Sequence, residues 1–119
     1  EITRLSLLRA KFAENLATSF ELAAQAPELF LMGLFSVLDL ILSKPMDEAL
    51  KMVQVSTEIR AALVDHKGKF APVMDFITQY ECANWQEVSR LMILKEIDME
   101  QVNEAYLSSL TWYRDLFAE

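Results

Sequence analysis

Hydrophobic positions recur at helical intervals along nearly the whole chain. In the first segment, Ile2 to about Ala24, the residues Ile2, Leu5, Leu8, Phe12, Leu16 and Phe20 lie three or four apart. That spacing puts them on one stripe of a long amphipathic helix. Ala10, Ala13, Ala17, Ala23 and Ala24 thin a neighbouring face, so that another helix can approach closely. Arg4, Arg9, Lys11, Glu14 and Glu21 fall off the stripe and read as a solvated edge. The stretch Leu29 to Leu42 has a different pattern, because only Gly33, Ser36 and Asp39 interrupt its apolar run. A helix that is apolar all round is expected to be buried on several sides. It is too short and too interrupted for a bilayer, which needs about 20 consecutive apolar residues. Pro27 and Glu28 suit its first turn, and Lys44 before Pro45 closes it.

Five further helices follow. Met46 to Val53 carries Met46, Ala49, Leu50 and Val53 on one face. Ser56 is an N-cap for a helix through Val64 that turns Ile59, Ala62 and Leu63 inward, with Gly68 as its left-handed stop. Phe70 to Ala83 shows Phe70, Val73, Met74, Ile77 and Tyr80 on one side. Asn84 caps the next helix, with Glu87 at capping-box spacing, and Trp85, Val88, Leu91 and Met92 are its core candidates. Asp98 caps the last, where Met99, Val102, Tyr106, Leu110, Tyr113 and Phe117 form a stripe. The pattern therefore predicts an all-α, compact bundle of about seven helices, one domain over residues 1–119, with no repeat period.

Composition narrows the function classes. With 119 residues, 53% of them hydrophobic and 24% charged, the chain can bury a core. A net charge of −7 opposes phosphate backbones and anionic lipid, so neither nucleic acid nor a membrane surface is an expected partner. A single cysteine, Cys82, forms no internal disulfide and fits a reducing, cytoplasmic setting. Starting at Glu1 already in helical pattern, the chain reads as a piece of a longer protein.

Candidate chemistry is sparse. Gly33 and Gly68 stand alone and make no phosphate loop, and one histidine with one cysteine gives no zinc spacing. His66 is the only imidazole for a nucleophile–base pair, and it reads as an exposed turn residue. Beside Glu81, Cys82 reads as a small buried or half-buried hydrophobe rather than a reactive thiolate. Asp39 is the most suggestive polar residue, since an unpaired charge in an apolar helix is costly. It is a candidate ligand or base, although a cap or a basic partner is the plainer reading, with Ser36 one turn before it in the same network.

The run Phe30 to Asp39, followed by Pro45-Met46, resembles the central helix of the HD-related output domain (HDOD), in the version found behind an EAL domain in bacterial cyclic-di-GMP signalling proteins. Leu7-Leu8-Arg9-Ala10-Lys11-Phe12 resembles the basic-aromatic start of that domain's preceding helix. Tyr80-Glu81 leading to Asn84-Trp85 resembles its "YE…DW" turn, and Ala105-Tyr106 with Trp112 its final helix. The resemblance runs from about Leu5 to Leu116 and implies the later part of an HD-like fold, without its upstream helices. In the related HD phosphohydrolases this helix carries an adjacent His and Asp that bind a divalent metal and activate water. Here Ser36 and Val37 fall at that doublet, and Leu5 falls near an upstream ligand histidine. The resemblance therefore implies a degenerate site at Leu5, Ser36, Val37 and Asp39, with no catalysis, metal or cofactor. It implies a regulatory output module acting on protein partners or other domains of its chain, with a homodimer possible. A helical scaffold without a nucleotide link is the alternative. Trp112, Tyr113 and Phe117, with Leu116, crowd the C-terminus as candidate contact residues, and Leu7 and Leu31 are further apolar surplus that upstream helices would cover. Cyclic di-GMP is not assigned to this stretch, because Arg4, Arg9, Arg60, Arg90 and Arg114 are spread over four helices.

Overall fold

The computed structural model describes residues 2–118. In chain order it contains α1 (Ile2–Leu16), a 3-10 turn (Ala23–Gln25), α2 (Ala26–Phe35), α3 (Leu38–Leu42) and α4 (Met46–Ala49), which ends in a 3-10 turn (Leu50–Met52). Then come α5 (Thr57–Arg60), which runs into a π-helical turn (Ala61–Asp65), α6 (Ala71–Glu81), α7 (Trp85–Lys95) and α8 (Met99–Leu116). The architecture is all-α with no strand among the described residues, and counting α2 and α3 as halves of one interrupted helix gives seven helices. The Cα radius of gyration of 13.9 Å is close to the roughly 13.5 Å expected of a single globule of this length.

The helix starts follow the sequence closely. Ser56 Oγ accepts the Ile59 N–H, and Asn84 Oδ1 accepts the Glu87 N–H. At Asp98 a full capping box forms with Gln101. Asn84 makes no such box, because its backbone N–H donates to the Gln79 carbonyl and the Glu87 side chain pairs with Arg90.

Three expected spans are shorter than their patterns suggest. The first helix stops at Leu16, not Ala24, because Glu21 turns left-handed (φ 59°) and Leu22 N–H bonds back to Ala17. That turn tucks Phe20 edge-on against Phe76 in the core, with ring centroids 5.7 Å apart. The second helical span of the sequence breaks at Ser36–Val37. Ser36 donates both its hydroxyl and its backbone N–H to the carbonyl of Gly33, a local bond that competes with the helical ladder. Val37 then leaves helical geometry and is 1% exposed. The third, Met46 to Val53, keeps α-helical form only to Ala49. The stop expected at Gly68 comes earlier, at His66 (φ 56°), while Gly68 is itself left-handed.

Burial on the central stretch is one-sided rather than all round. Leu29, Met32 and Gly33 of α2 are buried, whereas α3 has no fully buried residue, packs Leu38 partly against the core and leaves Leu40 59% and Ile41 53% exposed. Helical structure begins at Ala23, so the run Ala23–Leu42 reaches 20 residues and is long and apolar enough to cross a membrane by length and composition, contrary to the sequence reading. The run is broken at Ser36–Val37 and seats Leu29, Met32 and Gly33 in the protein interior, with 22% of it buried. A Cβ on Gly33 would lie 2.5 Å from the Arg9 carbonyl oxygen, which shows how closely α1 and α2 approach.

The buried face of α1 is centred on Ser6, Ala10, Ala13 and Leu16, and that of α8 on Val102, Ala105 and Ser109. Ile2, Met99 and Phe117, assigned to core stripes by periodicity, are exposed instead. Small residues let the helix axes close up, so the larger apolar side chains are displaced to the flanks of each contact. Trp85, also a core candidate, is 52% exposed, although its ring abuts Tyr80.

Candidate functional site

The stretches singled out from the sequence meet at one place. Arg9, on α1, makes a bidentate ion pair with Glu81 at the end of α6, at 2.7 and 2.9 Å. Its remaining terminal nitrogen donates to Ser36 Oγ at 3.2 Å, so one guanidinium ties α1 to the α2–α3 break and to α6. One helical turn further along α1, Phe12 packs edge-on against both Tyr80 and Tyr106. Tyr80 also contacts Phe76 and Trp85, which makes it the hub of an aromatic cluster. Burial, reinforced by the neighbouring Tyr106, raises its phenol above the usual tyrosine value of 10.0.

Beside the Arg9 clamp lies a cleft of about 380 Å³ whose walls include Ser36, Asp39, His66 and Thr78. The fold thus brings Asp39 and His66 to one cleft. Val37, by contrast, is packed into the interior, and Leu5 is half-buried beside a different hollow, with Ile2, Arg4 and Leu8. The Asp39 carboxylate caps no helix and has no basic side chain bonded to it among the described residues. Ser36 serves Arg9 and Gly33 rather than Asp39. His66 is an exposed turn residue, as its position suggests, and it forms the left-handed end of the π-helical turn. Cys82 is exposed, not buried: it is the C-cap of α6, followed by left-handed Ala83, and so lies past the helix's packed face.

A divalent metal does not suit this donor set. No group of three His, Cys, Asp or Glu side chains converges among the described residues. At Ser36–Val37, the positions for which the resemblance implies a degenerate doublet, there is a serine already bonded to a cation and a valine facing the core. A fixed guanidinium at 3.2 Å from Ser36 Oγ also repels a second positive charge.

The other candidates separate. Trp112 is absorbed by the fold, edge-on to Phe30 and under the ammonium of Lys11. Tyr113 is half-buried, with Phe117 at 4.9 Å and the Arg4 guanidinium over its ring at 5.8 Å. Only Phe117 and Leu116 of the C-terminal group are truly exposed. The five arginines do not converge: Arg9 pairs with Glu81, Arg90 with Glu87 and Arg114 with Asp115, while Arg60 donates to the Asp47 carbonyl and Arg4 lies over Tyr113. Sequence reading missed the Arg9–Glu81 pair, although each partner stood inside a quoted motif.

No family model matches the chain, and no solved structure matches it. Two curated proteins do. Over 116 residues, 98% of this chain, it is 28% identical to the cyclic di-GMP phosphodiesterase CdgJ of Vibrio cholerae, of which that stretch is 27%. Over 116 residues it is 30% identical to the uncharacterized protein YuxH of Bacillus subtilis, of which it covers 28%. The chain therefore spans little more than a quarter of the length of either relative, and the similarity is to one region of a longer protein in both cases.

Proposed function

We propose that this chain is a non-catalytic regulatory module of a longer bacterial signalling protein linked to cyclic di-GMP, an HD-related output domain that works through contacts with protein partners or with other domains of its own chain. The observation that carries the reading is the likeness of 98% of the chain to one region of a cyclic di-GMP phosphodiesterase. The order of the motifs along the chain supports the HD-related assignment, and their meeting around Arg9, Glu81 and Tyr80 gives those motifs a structural role. On this reading any cleavage of the dinucleotide belongs to an EAL domain elsewhere in the parent protein.

The non-catalytic part rests on the cleft. A hydrolase of this kind needs a metal-activated water, and Ser36 and Val37 offer one hydroxyl and one aliphatic side chain where imidazole and carboxylate would be required. Arg9 supplies a positive charge at the same spot. Compactness favours a single globular module over an elongated scaffold. Affinity capture with the full-length parent, with and without this region, tests the proposal. A co-purifying protein, or a change in the parent's phosphodiesterase rate, that depends on the region is the expected result. Phosphodiester hydrolysis by this region with added Mn²⁺, abolished by Asp39→Asn or His66→Ala, would overturn it.

A further inference from the structure

A groove of about 750 Å³ lies between the π-helical turn, the start of α6 and the end of α7. It opens next to the Ser36–Asp39 cleft, and the two share Ala62, His66, Met74 and Thr78 as walls. Its floor is apolar, formed by Ala62, Ala71, Met74 and Leu91. Its rim carries Lys67 and Lys95 together with His66. None of these three side chains has an ion pair or hydrogen bond among the described residues. Elsewhere Arg9, Lys11, Arg90 and Arg114 are each matched to an acid of the chain itself, whereas Lys44, Lys51 and Lys69, like the two groove lysines, have no ion pair among the described residues. The one acidic side chain lining the groove, Asp75, lies within the field of Arg90. In a chain of net charge −7, this apolar-floored groove is thus edged by two lysines that have no ion pair among the described residues.

Local backbone geometry sets this groove apart as well. The wall formed by Ala61–Asp65 is π-helical, a form that costs hydrogen-bond quality and is concentrated at functional sites. It ends at His66 in the left-handed region, where a side chain with a Cβ is strained.

We propose that this groove binds a small organic anion with an apolar body. The anionic head is held between Lys67 and Lys95, and the apolar part lies on Met74 and Leu91. The size suits a drug-sized ligand, since such sites run to roughly 300–1,000 Å³. Burying the ligand's apolar part supplies affinity in proportion to area, while the two ammonium groups select for charge and make binding weaken with salt. This adds a small-molecule input to the molecule and does not depend on the regulatory role proposed above.

The probe is 8-anilinonaphthalene-1-sulfonate, an aromatic body with one fixed negative charge, compared with uncharged N-phenyl-1-naphthylamine. Titration by fluorescence is expected to show saturable binding of the sulfonate. The Lys67→Gln/Lys95→Gln variant should weaken it about tenfold, the equivalent of ~1.4 kcal/mol from two partly screened charge contacts. The Lys67→Arg/Lys95→Arg variant should retain it, and Lys44→Gln/Lys51→Gln, with the same change in net charge, should leave it unaltered. The uncharged dye should not distinguish the variants. Amide shift changes on titration should centre on Ala62, Lys67, Met74 and Leu91. Absence of saturable binding, equal affinity in the Lys67→Gln/Lys95→Gln variant, or shift changes centred instead on the exposed Ile93–Leu94 face would overturn the proposal. Partner capture by the parent is a separate measurement and distinguishes failure here from failure of the regulatory reading.

Discussion

Gly33 occupies the point where two backbones nearly touch, and its missing side chain is what permits the contact. An added Cβ would sit 2.5 Å from the Arg9 carbonyl oxygen and 2.7 Å from the Ala10 Cα, both of them main-chain atoms that cannot rotate away. Gly33→Ala is expected to destabilise the fold by about 1–3 kcal/mol, read by urea unfolding, because α1 must move off α2. Tyr80 gives a second test at this scale. Its phenol is raised because burial, and then Tyr106, disfavour the phenolate. A group with a raised folded value contributes stability that is complete below the unfolded value and lost as pH climbs through the folded one. Unfolding free energy should therefore be flat below pH 10 on Tyr80's account and fall above it, a decline that Tyr80→Phe removes. Individual residues were legible in the sequence where their surroundings are local, as with His66 in its turn. Cys82 was misjudged because it falls at the C-cap of α6, where exposure depends on how the whole helix packs.

The starts of α5, α7 and α8 are each encoded in one or two adjacent side chains, which explains why Ser56, Asn84 and Asp98 could be picked out in advance. Asp98→Ala should cost about 1 kcal/mol of stability by loss of the capping box. The ends are encoded differently. With two glycines in the chain, left-handed stops fall on Glu21, Ser43, His66, Ala83 and Glu96, residue types that do not announce such a role. At Glu96 the bond from Ile97 N–H to the Met92 carbonyl completes a Schellman turn around that strained position. Glu96→Gly should relieve the strain and raise the thermal midpoint, by up to ~1 kcal/mol in stability. Buried faces were only partly readable for a related reason. Periodicity favours large apolar residues, whereas the closest helix contacts here centre on Ala10, Ala13, Ala105 and Ser109.

At the level of the whole molecule, the all-α class and single globule followed from a chain with helical periodicity and few turn residues. Solution scattering should return a compact profile with a radius of gyration of about 14–15 Å, allowing for side chains and hydration over the Cα value. The site was less accessible. Arg9 and Glu81 stand 72 positions apart, and Lys67 and Lys95 sit on separate elements, so no local pattern links either pair. Only the tertiary path of the chain brings them together. The same path leaves α3 lightly anchored: Val37 is held in the interior and Leu38 packs partly against the core, but none of the five residues of α3 is fully buried, and they end at left-handed Ser43. A segment so lightly held opens at small free-energy cost relative to global unfolding. Thermolysin at low concentration should accordingly nick the native protein first beside Leu40 or Ile41, and the two fragments should stay associated under native conditions until denaturant separates them.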